Sequence, residues 1–190
     1  MSPEIALIIA PDKTYAALAA RAAPIGACRA LRRPLLVALL LGVSLALSST
    51  RHVTPELVLS TALLLSGIVI VQVLIALAVI RPRAGRIVPP GRALDLFFAS
   101  HAPWSLWLLL TAAWVPSPLA RPATPLWIAS LVPIVLTPRT IAAYFREVLG
   151  LDRRRAVART IVHQVLTWGL LAAAFGAAVA IWPRVLQALS

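Results

Sequence analysis

Charged residues are scarce in this chain of 190 residues, and acidic ones are scarcer still. Asp, Glu, Lys and Arg make up 13% of the sequence, and only six of these residues are acidic, whereas about a quarter of a soluble domain is charged. This leaves too little polar surface for a large water-soluble domain, and the mean hydropathy of +0.91 agrees. The single cysteine, Cys28, excludes an intrachain disulfide.

Signature motifs of the common enzyme classes are also missing from the sequence. It contains no G-x-S-x-G, no Walker loop, no H-E-x-x-H and no pair of cysteines. The three histidines, His52, His101 and His163, lie in separate segments, which is not the spacing of a metal site. We therefore expect no catalytic residue, no cofactor and no metal.

The sequence does contain a long apolar run, Leu57 to Ile80, with no charge and no proline. As a helix this run is about 36 Å long, and the hydrocarbon core of a bilayer is roughly 30 Å thick. A helix that is apolar all round and this long is typical of a membrane span. With four further runs, the sequence predicts an all-α integral membrane bundle of five transmembrane helices, at about 35–50, 57–80, 94–115, 124–145 and 161–182.

Residues 1–33 precede these runs and are predicted to form a cytoplasmic amphipathic segment, with residues 34–190 as the transmembrane domain. Asp12 is expected to cap a helix that extends to about Ala23, where Pro24 interrupts it. Arginines follow the alanine-rich face, so we expect this segment to lie on the membrane surface. A disordered basic arm is the alternative.

Prolines make three of the predicted spans less regular. Pro103 lies inside the third span, where the missing backbone hydrogen bond predicts a kink. The fourth span has Pro133 inside it and Pro138 after its apolar part. It crosses the membrane with a kink if the helix continues to Phe145, and it is re-entrant if the helix stops earlier. The fifth span is expected to end at Pro183.

Basic residues are distributed unevenly between the connections of a five-span chain. Fifteen of the 18 lysines and arginines fall on one side, in the N-terminal segment, in the 81–92 loop and between residues 139 and 159. Because basic connections stay in the cytoplasm, we expect a cytoplasmic N-terminus and an outside C-terminus. The excess of arginine over lysine suggests a GC-rich bacterial genome. We expect the chain to be a multi-pass protein of a bacterial inner membrane. The positive charge is interpreted as topology control and not as nucleic-acid binding.

Few polar groups lie at membrane depth, and they gather toward the predicted cytoplasmic end. The candidates for a polar site there are Asp95, His101, Arg139, His163 and Gln72. Asp95 and His101 are six residues apart and therefore about 120° apart around a helix, which suits an acid–base pair poorly. A stripe on the last span that is expected to hydrogen-bond to Asp95 or Gln72 consists of Arg159, Thr160, His163 and Thr167. Packing is the preferred interpretation, ligand or proton handling the second, and catalysis the third.

Small residues recur at helical spacing on two of the predicted spans. Such rows let membrane helices approach closely. On the first span the row is Ala38, Gly42 and Ala46, and on the fifth the rows include Gly169, Ala173 and Gly176. We expect the fifth helix to pack against two neighbours through these rows.

Three stretches give the chain a characteristic layout. They are IAPDKTYAALA near the N-terminus, HAPWS from His101 to Ser105, and EVLGLDRRRAVARTIV before the last span. The layout resembles the Yip family, the multi-pass membrane proteins named for interaction with Ypt/Rab GTPases, and its bacterial members in particular. The resemblance covers most of the chain. It implies a non-enzymatic membrane protein in membrane organisation, trafficking or assembly, and it assigns no binding residue.

Two functions are the main hypotheses, and an enzyme that acts on lipid at the cytoplasmic interface comes third. The first is a non-enzymatic adaptor or assembly protein that makes lateral contacts with other integral membrane proteins or with lipids, whose anionic headgroups match the basic cytoplasmic face. The alternative is a small transporter or channel subunit with a polar site near the cytoplasmic end of the bundle. Transport favours polar residues across the full depth of a bundle, whereas here they cluster at one end.

Overall fold

The computed structural model describes residues 2–80, 88–114 and 124–189, and this part of the chain is helical, with no strand. The predicted loop at 81–92 and the connection before the fourth span therefore lie largely outside the described residues. Nine helices form the described part: α1 Pro3–Ile9, α2 Pro11–Ala20, α3 Ala27–Ala30, α4 Arg32–Thr50, α5 Pro55–Ile80, α6 Pro90–Ala99, α7 Ala102–Trp114, α8 Thr124–Glu147 and α9 Arg153–Leu189.

Three of these helices are long and apolar enough to cross a membrane. They are α5, the part of α8 from Ile128 to Glu147, and the part of α9 from Arg153 to Ala173. A fourth crossing is added if α6 and α7, which meet at a bend of 47°, are one broken span. This confirms an all-helical chain compatible with a multi-pass membrane protein. α4 is not among these helices, so five crossings stay a prediction.

The helix α5 matches the long apolar run to within two residues at its start. Pro55 begins the helix, and the hydroxyl of Thr54 accepts a hydrogen bond from the amide of Leu57, 3.2 Å away. Only 28% of its most apolar window is buried inside the chain. Most of its apolar side chains therefore face outward, as a span in contact with lipid requires.

α4 and α5 form a tight helical hairpin at Gly42. A Cβ atom added there would lie 2.7 Å from the carbonyl oxygen of Val58 and 2.8 Å from the Cβ of Ala62. Ala46, one turn later, is fully buried, and Ala38 is half-buried. The row of small residues on α4 thus lies at the closest approach of these two helices. Arg51 turns the chain after α4 with a positive φ of 59°.

The N-terminal segment packs onto one end of the bundle. Leu7 of α1 and Tyr15 of α2 are fully buried, and α2 contacts α8. The predicted cap is wrong: α2 begins at Pro11 and ends at Ala20, and Asp12 lies in its first turn, paired with Arg146. The segment is helical and not a disordered arm, since Leu7, Tyr15 and Ala30 belong to the buried hydrophobic core. Contact of this segment with a membrane surface stays a prediction.

The third and fifth predicted spans differ from the structure. The third is not one kinked helix from 94 to 115 but two helices, α6 and α7, separated at Ser100 and His101. The fifth begins at Arg153 and not near 161, and it continues to Leu189 and does not end at Pro183. The fourth, α8, is one continuous helix that contains Pro133 and Pro138.

The last helix packs mainly against α5 and α8, and its Trp168 ring contacts Trp104 of α7, but none of these contacts runs through the expected rows. Nothing described lies within 4 Å of a Cβ added at Gly169 or Gly176, and Ala173 is exposed. The buried face of α9 instead carries Ala156 and Thr160, followed by His163 and Thr167 one and two turns on. Gly169, Ala173 and Gly176 therefore face away from the part of the chain that the structure describes.

Candidate functional site

An aromatic cluster fixes α6 between the N-terminal segment and α8. The hydroxyl of Tyr15 donates to the carbonyl of Leu96 at 3.2 Å, and that of Tyr144 donates to the carbonyl of Ala93 at 3.0 Å. The ring of Phe97 stands edge-on to that of Tyr144, with centroids 5.5 Å apart. Burial raises the pKa of the Tyr15 hydroxyl above its ordinary value. The end of α6 is therefore held rigidly where the chain bends.

The bend between α6 and α7 is stabilised by side-chain hydrogen bonds. Pro103 has no amide hydrogen, so helix bonding is incomplete at this point. The hydroxyl of Thr140, on α8, donates to the carbonyl of Ser100 at 2.6 Å. Nδ1 of His101 lies 3.3 Å from the Ser100 hydroxyl and 3.4 Å from the carbonyl of Phe97. The bend directs the His101 ring toward α9, where its centroid lies 5.8 Å from that of His163.

A cavity of about 210 Å³ opens beside these two histidines, between α4, α5, α7, α8 and α9. Its walls are mostly apolar. Three of the candidates predicted from sequence, Gln72, His101 and His163, line it. The other residues that line it are Val37, Leu41, Ile68, Trp104, Ser105, Trp107, Leu108, Thr137, Gln164, Thr167, Trp168 and Leu171.

Several buried polar atoms of this cavity have no hydrogen-bond partner among the described residues. They are both ring nitrogens of His163, the hydroxyls of Thr137 and Thr167, and the indole nitrogen of Trp107. His163 is 1% exposed, Thr137 2% and Thr167 6%. An unpaired polar group in an apolar site costs about 1–3 kcal/mol. The described side chains supply no partner for these atoms, so a water or a ligand bound in the cavity is a candidate for that partner.

The other two predicted candidates lie elsewhere. Asp95 accepts from Arg33 Nε at 2.9 Å and from Arg92 Nη1 at 2.6 Å, and Arg33 also pairs with Glu4 at 3.1 Å. Arg139 is exposed and donates to the carbonyl of Ile9 at 3.4 Å. The residues predicted to form one polar site therefore lie in three separate places. Asp95 accepts hydrogen bonds from two arginines and is not part of the site that contains His101.

The predicted stripe on the last helix divides in the same way. Arg159 donates to the carbonyl of Val79 at 2.6 Å, and the Thr160 hydroxyl donates to the carbonyl of Ala156 at 2.8 Å. The expected hydrogen bonds from His163 and Thr167 to Asp95 or Gln72 are not formed. Arg159 and Thr160 hydrogen-bond to backbone carbonyls, whereas His163 and Thr167 line the cavity. The His163 ring also packs against that of Phe97, with centroids 5.1 Å apart.

The ion pairs of Asp95 lie in a basic hollow of about 600 Å³. We call its four guanidinium groups, from Arg29, Arg32, Arg33 and Arg92, the arginine cluster. Glu4 and Asp95 supply the carboxylates that line it, so the hollow carries a net positive charge. It can attract an anion such as a lipid phosphate.

The chemistry available in the cavity is hydrogen bonding without charge. No group of three or more His, Cys, Asp or Glu side chains suited to a metal occurs in the described parts of the chain. Sequence reasoning found His163 and Thr167 but missed Thr137 and Trp107. No periodic pattern singles out Thr137, and Trp107 resembles an ordinary interfacial tryptophan.

Comparison of the chain with protein-family models, with curated proteins and with solved structures finds no match. The resemblance to the Yip family therefore stays a prediction.

Proposed function

We propose that this chain is a five-span protein of the bacterial inner membrane, with a cytoplasmic N-terminus and an outside C-terminus. In this proposal α4 is the first crossing, and α6 with α7 is the third. The continuity of α8 through Pro138 supports a full fourth crossing, which keeps Arg146 and the arginines at the start of α9 on the same side as the N-terminal segment. Fifteen basic residues then face the cytoplasm.

In that membrane we propose a non-enzymatic adaptor, assembly or membrane-organisation role, exerted by lateral contacts with membrane proteins or lipids. The observation that carries this proposal is the outward face of α9. Gly169, Ala173 and Gly176 are exposed, and no described atom lies within 4 Å of a Cβ added at either glycine. Since small residues let membrane helices approach closely, this face fits a transmembrane helix of another integral membrane protein.

Anionic lipids are the second proposed partner. The arginine cluster lies where the N-terminal segment meets α4 and α6, and Arg29 and Arg32 in it are exposed. Near a membrane surface each Lys or Arg gains about 1 kcal/mol from anionic headgroups. The proposal includes no nucleic-acid partner, because the positive charge is used in orientation and headgroup contact.

A site-specific photocrosslink tests the adaptor role. A photoreactive residue at Ala173 is expected to give one adduct with a different membrane protein, and Gly176→Leu is expected to abolish it by filling the contact face. The matched control carries the same group at Leu64, which is 75% exposed on α5. The same adduct from both positions, no adduct at Ala173, or an adduct only with a second copy of this chain would refute the proposed partner.

The transporter alternative has one specific observation in its favour, the buried histidine pair at the cavity. A flux assay in vesicles separates the two functions. The adaptor proposal expects no proton or ion flux from the reconstituted protein. A flux that His163→Leu abolishes would replace the adaptor by a transporter.

A further inference from the structure

We propose that the cavity between α4, α5, α7, α8 and α9 binds the head group of a neutral lipid that carries a free hydroxyl and ester carbonyls, as diacylglycerol does. This inference rests on the proposed membrane location. It deepens the proposed function by naming the lipid class and the place where it binds.

The lining of the cavity selects against a charged ligand. None of the described side chains that line it is Asp, Glu, Lys or Arg. An ion moved into this apolar space would lose its hydration without gaining the counter-charge of an acidic or basic side chain, which is strongly unfavourable. The arginine cluster, which does suit an anion, is lined by different residues. The cavity therefore suits a neutral molecule.

The unpartnered atoms require both donors and acceptors from that molecule. With one proton on its ring, His163 has one nitrogen that donates and one that accepts. The indole of Trp107 only donates, while the hydroxyls of Thr137 and Thr167 do both. A ketone or quinone offers acceptors alone and leaves a His163 nitrogen unpaired. A free hydroxyl next to ester carbonyls satisfies both kinds of group.

The walls and the opening fit the rest of a lipid. Val37, Leu41 and Ile68 supply apolar surface from α4 and α5. Trp104 of α7 and Trp168 of α9 also line the cavity, with ring centroids 5.8 Å apart, and Trp168 is 47% exposed. We infer that the lipid enters between α7 and α9, past this tryptophan pair. Its head group then reaches His163 while its acyl chains extend into the bilayer.

The cavity is large enough for more than a single water. Its volume of about 210 Å³ far exceeds the ~10–15 Å³ that one water needs by the same kind of measure. Ordered water alone is the main competing occupant, because several waters would also pair with His163, Thr137 and Thr167. An experiment on binding must therefore separate neutral lipid, anionic lipid and water.

A photoactivatable, clickable diacylglycerol analogue in phosphatidylcholine nanodiscs provides the test. Flotation first establishes that the full chain is in the bilayer. The proposal expects saturable labelling of peptides from α7 and α9. Unlabelled diacylglycerol should compete, and phosphatidylglycerol should not.

Two variants make the result specific. His163→Leu with Thr167→Val replaces unpaired polar atoms by apolar groups of similar size, so the protein is expected to remain folded. Labelling should fall at least about fivefold, as expected for the loss of hydrogen bonds worth about 1 kcal/mol or more. The control Val165→Thr changes a side chain that is 65% exposed on the same helix and should leave labelling unchanged.

Three results would overturn the inference: labelling that does not saturate, equal labelling of the double variant and the parent, or equal competition by phosphatidylglycerol. The first is the outcome for a cavity that holds only water. These results leave the membrane location intact, whereas a chain that does not float with the bilayer refutes the location and the lipid site together.

Discussion

Gly42→Ala is the smallest change that tests the packing of the α4–α5 hairpin. The added Cβ would lie 2.7 Å from the carbonyl oxygen of Val58 and 2.9 Å from the amide nitrogen of Ala62. Both are backbone atoms and cannot rotate away, so the two helices would have to separate by several tenths of an ångström. Overpacking of this kind costs about 1–3 kcal/mol, partly offset by the better helix propensity of alanine, at most about 1 kcal/mol.

Gly67→Ala is the matched control for this prediction. Gly67 lies within α5, and no described atom is within 4 Å of its added Cβ. Gly67→Ala should therefore gain the better helix propensity of alanine without the steric clash. Thermal stability is measured in one detergent as the temperature at which half of the protein is lost from the monomer peak in size-exclusion chromatography. This temperature should fall for Gly42→Ala by roughly 2–10 °C. It should stay level or rise for Gly67→Ala. Equal temperatures for the two variants would refute the close approach at Gly42.

Two further predictions concern the end of the bundle that the N-terminal segment covers. Asp95→Asn removes the shared partner of two partly exposed arginines and should lower the free energy of unfolding by about 1–3 kcal/mol. Asp12→Asn, at a more exposed ion pair, should change it by no more than about 0.5 kcal/mol. Similar thermal stabilities of the two variants would contradict the buried role of Asp95. Because the pKa of Tyr15 is raised in the folded state, its stabilising effect is complete below about pH 10 and is lost as the pH rises further. Tyr15→Phe should therefore show a smaller loss of thermal stability between pH 9 and pH 11 than the parent, and parallel losses would contradict this.

The apolar helices were predictable because their signal is local. The helix α5 is predominantly apolar and begins after polar residues, so its start follows from the sequence to within two residues. The break before α7 was predictable only in part. Pro103 indicates a kink, but the break at Ser100 depends on a hydroxyl from Thr140, which lies on another helix.

The candidate site was predictable to a similar extent. The spacing of His163 and Thr167 placed them on one face, and they do share the cavity. Asp95 was grouped with His101 by depth in the membrane, yet its partner Arg33 is 62 residues away in the sequence. Long-range pairs of this kind leave no periodic signal. The rows at Gly169 and Gly176 do have such a signal, but a repeat of small residues does not state which chain packs against it.

Sidedness labelling tests the central claim, a five-span membrane protein, most directly. In a Cys28→Ala background, single cysteines replace Lys13, Val53 and Arg154, all of which are exposed. With an impermeant thiol reagent on intact cells and on inverted vesicles, the five-span account predicts that positions 13 and 154 react only from the cytoplasmic side. Position 53 should react only from the outside. If position 53 reacts from the same side as position 13, α4 does not cross the membrane and the five-span account is wrong.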